Sequence, residues 1–209
     1  MENLITKNDL LTKLRAYAET PDDDTVKIKK EIEKKFLSCP ELLYALHEKD
    51  LENELFDTNG NINWDAETHE PLGEWDRYFG SNANIRPFLF IPDTQTEVKH
   101  YICYQVFFSD TPRYNPSEKY IQVKFTIFVH GGDRIDKLTG IPRHDLIAAI
   151  IRENFAWIGL EIPTTVPVYN KESITDNNYL TRVVRYECIL PNDLVKSSNG
   201  VTSYKNKRW

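Results

Sequence analysis

One loop in this sequence has residue types that could hold a metal ion. His130, Asp133 and Asp136 occupy every third position of the segment 130–136, so an imidazole and two carboxylates could meet on one cation. The same segment contains two glycines, and glycine and aspartate are also the residues that a turn leaving a strand uses. Because no fourth ligand is evident nearby, we prefer the interpretation of a turn and keep metal binding as the alternative.

A second combination has the residue types of a metal-dependent nuclease core. Pro92-Asp93 is followed by Glu97-Val98-Lys99. In the PD-(D/E)xK arrangement an aspartate and a glutamate hold magnesium, and a lysine orients water. Only three residues separate Asp93 from Glu97, whereas such cores usually have more chain between the two halves. A surface hairpin with ordinary charges is the preferred interpretation, because short motifs match by chance.

Other familiar chemical motifs are missing from the sequence. It contains no glycine-rich phosphate loop, no serine nucleophile elbow and no HExxH. Cys39, Cys103 and Cys188 lack the paired spacing of a zinc site. Cys103 and Cys188 fall within predicted strands, which indicates buried, reduced thiols. We therefore expect a protein that is not an enzyme and that carries no cofactor.

The elements that must position these residues centre on one strand and one helix. Along 120–130 apolar residues alternate with polar ones, which predicts a strand with one dry face. The dry face comprises Ile121, Val123, Phe125, Ile127 and Val129. A helix is predicted to follow, with Pro142 in its first turn, Asp145 near the positive end of its dipole and Gly159 at its end. Its apolar side should lie on the dry face of the sheet.

The chain divides into four predicted segments. They are an N-terminal helical group over 1–56, a long aromatic-containing loop over 57–86, an α+β core over 87–191 and a C-terminal tail over 192–209. In the first segment Asn8 is the predicted helix cap, and helical spacing of leucines continues to Leu55.

Within the core, the order of elements predicts the fold class. Four further strands are expected, at 88–91, 98–109, 160–169 and 179–190. Pro163 and Pro167 make the strand over 160–169 an edge or bulged strand, and 170–178 is expected to be a polar connection. The order of strands and helix gives an α+β fold, in which a mostly antiparallel sheet is covered by one helix.

Composition limits the classes of partner. Hydrophobic residues make up 40% of the chain and charged residues 28%, and the formal net charge is −6. These values are typical of a globular protein, and a negative charge argues against tight binding of DNA phosphates. No apolar run approaches the length of about 20 residues that spans a bilayer. The N-terminus also lacks the layout of a secretory signal, so we expect no membrane partner.

The segment 97–190 resembles the neck and tail-terminator proteins of tailed bacteriophages. The similarity lies in the order of strands and helix and in the run Asp-Lys-Leu-Thr-Gly-Ile-Pro-Arg-His-Asp-Leu-Ile-Ala-Ala-Ile-Ile over 136–151. The resemblance implies a virion structural protein, present in the host cytoplasm during assembly. It would form a homo-oligomeric ring, commonly six-fold, that closes the tail tube or joins it to the head. Terminator, joining protein and stopper all remain open.

In such a ring, long loops and the tail would contact neighbouring subunits or other neck, portal and tail proteins, while DNA passes through the lumen without tight binding. Aromatic side chains contribute much of the energy of interfaces. The candidate interface residues are Trp64, Trp75, Tyr78, Phe79, Tyr114 and Trp209. For each, the alternative is packing on its own subunit. Two other functions stay open, a nuclease that uses Asp93, Glu97 and Lys99 and a cytoplasmic adaptor protein.

Overall fold

The computed structural model describes most of the N-terminal helical group and of the α+β core. The residues described are 6–19, 25–47, 56–61, 63, 67, 83–92, 98–110, 118–156, 166–175, 178–191, 194–196 and 202–204. The helices are α1 (Lys7–Glu19), α2 (Thr25–Leu37), α3 (Pro40–Ala45) and α4 (Arg143–Ala156). The strands are β1 (Ile85–Arg86), β2 (Tyr101–Asp110), β3 (Glu118–His130), β4 (Val166–Ile174), β5 (Tyr179–Pro191), β6 (Leu194–Lys196) and β7 (Thr202–Tyr204).

Five strands form one mostly antiparallel sheet in the order β1-β2-β3-β5-β4. The central strand β3 pairs with β5 along its whole length, from Glu118 opposite Pro191 to His130 opposite Tyr179. Only the short β1 runs parallel to its neighbour β2. The predicted α+β fold is therefore confirmed. The strands β6 and β7 form a small separate sheet within the segment that was expected to be an irregular tail.

The predicted dry face of β3 is confirmed, since its five apolar side chains are at most 2% exposed. The helix α4 covers this face and buries Ile147, Ala148 and Ile151. The helix α2 contributes Ile28, Ile32 and Phe36 to the same core cluster. The ring of Phe36 meets those of Tyr104 and Phe125 edge-on, with centroids 6.0 and 5.7 Å away. Helices that precede and follow the strands β1–β3 along the chain thus share one hydrophobic core.

The other face of the sheet is partly buried by residues 87–92. Phe90 packs its ring 5.3 Å from that of Tyr101, and the Arg86 guanidinium lies 3.7 Å over Phe90. Tyr101, Cys103, Phe128 and Tyr179 form a second small core there. The strand predicted at 88–91 is wrong, because this segment uses Phe90 to cover the sheet face and only residues 85–86 join the ladder.

Several element boundaries differ from those predicted. α1 begins at Lys7, and its cap is Thr6 rather than Asn8: Asp9 N donates to Thr6 Oγ1 (3.2 Å) and Thr6 N to Asp9 Oδ2 (2.9 Å), a reciprocal pair of the capping-box type. α3 ends at Ala45 instead of continuing, because His47 adopts a φ of 50°. The stretch 48–55 lies outside the described residues.

For the edge strand β4, one prediction is confirmed and one is wrong. β4 lies at the edge of the sheet and changes register between Pro167 and Tyr169, as the prolines predicted. It continues to Ile174, however, through residues that were expected to form a polar connection. The side chains of 170–174 are exposed, so a solvent-facing edge strand has the composition of a loop.

All three cysteines are buried, and none of them forms a disulfide. Burial raises the pKa of Cys39 to about 12 and that of Cys103 to about 11. These thiols are therefore protonated near neutral pH. No helix in the described part of the chain is both long and apolar enough to cross a bilayer.

The packing of α2 on the sheet leads to a prediction about stability. Phe36→Ala should lower the free energy of unfolding by about 3–5 kcal/mol, because it removes a fully buried ring from between two others. The matched control is Phe108→Ala, since Phe108 is 42% exposed and should cost much less. Urea denaturation measures both values. Equal effects of the two substitutions would contradict the shared core.

Candidate functional site

The residues proposed from the sequence as interface anchors cannot be placed. Trp64, Trp75, Tyr78, Phe79, Tyr114 and Trp209 all lie outside the described residues. The same holds for Asp93 and Glu97 of the possible nuclease motif, whereas Lys99 is described and partly buried. Of the candidate sites predicted from the sequence, the loop that follows β3 is the one whose residues are all described.

The carboxylate of Asp133 is the centre of this loop. Its Oδ2 accepts a hydrogen bond from His47 Nδ1 at 2.6 Å and one from His100 Nε2 at 3.2 Å. The same oxygen lies 3.1 Å from Arg143 Nε, and Oδ1 accepts from the terminal Nη2 of Arg143 at 3.2 Å. We call Asp133, His47, His100, Arg143 and Asp136 the Asp133 cluster.

Arg143 joins three parts of the chain within this cluster. Its side chain is 1% exposed. Nη1 donates to the carbonyl oxygen of Ala45 at the end of α3 (3.0 Å) and lies 3.4 Å from Asp136 Oδ1. Nε donates to the carbonyl oxygen of Asp133 (3.3 Å). The planar fork of a guanidinium suits such convergent acceptors better than a lysine ammonium would.

His100 ties the cluster to the sheet. The backbone N–H of His130 donates to His100 Nδ1 at 3.0 Å. The proton of the neutral ring therefore belongs on Nε2, which donates it to Asp133. Burial lowers the pKa of His100 to about 4, although the hydrogen bond to Asp133 acts in the opposite direction. The ring is accordingly neutral near pH 7.

The metal set considered from the sequence is not assembled in the structure. Asp133 and Asp136 both turn toward Arg143, while His130 Nδ1 accepts from the backbone N–H of Gly132 at 3.1 Å. The ring of His130 packs edge-on against Tyr179, 5.4 Å between centroids. Among the residues that the structure describes, no three His, Cys, Asp or Glu side chains form a group that could hold a metal ion. The preferred interpretation of a turn agrees with this geometry.

The cluster fixes the conformation of residues 134–142, which we call the aliphatic loop. Arg143 N donates to the carbonyl of Arg134 (2.8 Å), and Asp136 N donates to that of Ile141 (2.9 Å). Asp136 Oδ2 accepts from both the amide and the hydroxyl of Thr139. Gly140 takes a φ of 71°, in the left-handed region that glycine adopts without strain. The loop is thus closed by its own polar groups.

Although Arg134 and Lys137 are exposed too, the aliphatic loop presents apolar side chains to solvent. Ile135, Leu138 and Ile141 are 50%, 80% and 42% exposed. Beside them lies a cavity of about 300 Å³ between α3 and α4. Its apolar lining comes mainly from Tyr44, Phe56, Leu138, Leu146 and Ile150. Exposed apolar side chains next to an apolar cavity are typical of a surface that binds another molecule.

A second polar group holds the start of α4 to the edge strand. Arg182 Nη1 lies 2.9 Å from Asp145 Oδ1, and Arg182 Nε donates to Asn170 Oδ1 at 2.6 Å. The buried His144 places Nε2 3.3 Å from Glu172 Oε1. The sequence explained Asp145 by the helix dipole alone, and the structure adds the ion pair with Arg182.

Sequence reasoning missed Arg143, His47 and His100. Arg143 did carry a signal: a cation in the first turn of a helix opposes the helix dipole, so it needs acidic partners, and Asp133 and Asp136 stand just upstream. His47 and His100 carried no such signal, because their approach to Asp133 depends on how α3 and β2 pack against β3.

The Asp133 cluster predicts a large cost for losing Arg143. Arg143→Met should lower the free energy of unfolding by about 3–5 kcal/mol, because it leaves the Asp133 carboxylate without its main counter-charge. Arg152→Met on the exposed side of the same helix should change it by no more than about 0.5 kcal/mol. Adding Asp133→Asn to Arg143→Met should cost less than the sum of the two single changes. Additive values in urea denaturation would argue against a coupled pair.

The cluster also predicts how stability depends on pH. The unfolded chain binds a proton at His100 below its ordinary pKa of 6.5, whereas the folded chain does so only below about 4. The free energy of unfolding should therefore fall as the pH drops from 6.5 to 4, by on the order of 3 kcal/mol. Burial raises the pKa of Asp133, but hydrogen bonds from His47 and His100 and the charge of Arg143 lower it to about 2. Stability from Asp133 is consequently lost only below about pH 4. Urea titrations of wild type and His100→Gln test this, and a variant with the same slope between pH 6.5 and 4 would contradict it.

Comparison with known proteins adds a family. The model of the YomW family, which is of the Bacillus phage SPbeta-region type, matches residues 40–188. The match begins at α3 and ends within β5, so it includes the Asp133 cluster, the aliphatic loop and the α3–α4 cavity. No curated protein matches the chain. Since the matched residues make up well over half of the sequence, the chain belongs to the YomW family and is a phage-associated protein.

Proposed function

We propose that this protein is a non-enzymatic structural component of the phage neck or tail end. In this proposal copies of the chain form a ring that closes the tail tube or joins it to the head around the path of the DNA. The observation that carries the proposal is the surface made by the aliphatic loop and the α3–α4 cavity.

The construction of this surface favours a role in assembly. The carboxylates of Asp133 and Asp136 pair internally with Arg143, whereas Arg134 and Lys137 are exposed. The aliphatic side chains of the loop also lie outside, and Leu138 is 80% exposed. An apolar patch on a loop held in one conformation loses little entropy when a partner docks on it. That combination suits contacts between subunits.

The charge of the chain is compatible with a conduit for DNA. The formal net charge is −6, and DNA is held chiefly by basic groups that neutralise its phosphates. A ring of acidic subunits would repel phosphates and let the duplex slide through its lumen. Family membership supports the phage setting of the proposal, and the particular neck component is an expectation from the sequence resemblance.

The proposal predicts that the protein is part of the particle and forms rings. Purified protein at micromolar concentration should give closed rings in negative-stain images. Native mass spectrometry should show a single oligomer whose mass is a whole multiple of 24.5 kDa. Peptides of this chain should be found in purified phage particles. Host cells infected by a phage with a stop codon early in the gene should accumulate DNA-filled heads separate from tails.

Other outcomes would contradict the proposal. Magnesium-dependent cutting of DNA that is abolished by Glu97→Ala would identify a nuclease instead. A strictly monomeric protein that is missing from purified particles would identify an adaptor of the infected cell. Normal particle assembly without the gene would also overturn the proposal, whatever the oligomeric state.

A further inference from the structure

The helix α1 has an apolar face that its own chain leaves exposed. Leu10, Leu11 and Leu14 lie on one side of the helix at spacings of one and four residues, and they are 51%, 39% and 62% exposed. A helix of 13 residues is marginally stable in water by itself. Its helical state therefore gains most when the leucine face packs against an apolar surface.

The α3–α4 cavity is a matching surface. It is lined by aromatic and aliphatic side chains and by the exposed Glu41, whereas Asp136, which also lines it, is paired with Arg143. None of the described lining residues is basic. On α1, Lys13 and Arg15 flank the leucine face on either side, given the turn of 100° per residue. The cationic groups of α1 would thus flank an apolar groove that carries the exposed carboxylate of Glu41. An apolar helix face lying in an apolar groove is a common mode of helix recognition.

We propose that α1 of one copy docks into the α3–α4 cavity of a second copy. The second copy is the occupant because the leucines of α1 remain exposed to solvent within their own chain, while every further copy brings the same cavity. The contact joins two different surfaces, and such head-to-tail contacts generate rings when the rotation between subunits closes. The inference rests on the proposed self-association and names the contact that produces it.

The test uses full-length protein and a short bis-maleimide that links two thiols. The native cysteines are buried, so they should react slowly. Chains carrying Lys7→Cys, on the same side of α1 as the leucine face, are mixed with tagged chains carrying Lys137→Cys, next to Leu138 at the cavity. Both positions are exposed. A linked pair of one tagged and one untagged chain is expected. The matched control is Thr12→Cys, which is exposed on the opposite side of α1 and should link at least fivefold less.

A second pair of substitutions removes the contact without touching the core. Leu10→Asp with Leu14→Asp should abolish the linked pair and weaken association at least tenfold in sedimentation, while the thermal melting curve of the chain stays unchanged. If rings form but no link appears, this inference is overturned and the proposed function stands. If Lys7→Cys and Lys137→Cys placed in one chain link only within monomers, α1 docks on its own chain and the inference fails. If neither association nor a link is seen, both proposals fail.

Discussion

A carboxylate–guanidinium contact between Asp133 and the buried Arg143 organises the loop that we propose as a binding surface. Asp133 follows the central strand β3, and Arg143 opens the helix α4 that covers it. Arg143 donates to Asp133 and to the carbonyl oxygen of Ala45, and so joins the sheet, α4 and the end of α3 at one point. His100 adds the neighbouring strand segment, and His47 adds the residue that terminates α3. Movement of any one of these elements would leave a buried charge unpaired.

The value of this contact lies in geometry more than in stability. Removing two charges from water costs several kcal/mol per ion, and a buried ion pair often only balances that cost. In an alternative conformation one charged group would still be removed from water but would lack its partner, so that conformation would be much less stable. An apolar cluster of the same volume could stabilise the fold as well, but it would hold the 134–142 loop in a less unique shape. A surface that must present Ile135, Leu138 and Ile141 in one arrangement benefits from that uniqueness.

Local patterns were sufficient to predict the sheet and the main helix. Alternation along β3 and helical spacing along α4 each reflect one buried face, and burial is what the structure shows for both. Prediction failed where a distant contact decided the local conformation. Residues 88–91 are apolar enough for a strand, yet Phe90 covers Tyr101, and the leucine spacing after Pro40 favoured a long helix that His47 ends. The site was harder still, because His47, His100 and Arg143 are far apart in sequence and meet only once the sheet and helices have packed.

At the aliphatic loop the carboxylates of Asp133 and Asp136 lie inside and the aliphatic side chains outside. This arrangement is compatible with the proposed self-association of an acidic protein. Like charges on the surface make free copies repel each other, and at physiological salt this repulsion is largely screened beyond about 8–10 Å. Contact then depends on short-range burial of apolar area, which is independent of net charge. In this chain the carboxylates of Asp133 and Asp136 share Arg143 as a partner and are each only 11% exposed, so an approaching surface removes little further water from them. Desolvation at that point costs little, and the exposed aliphatic side chains supply the gain.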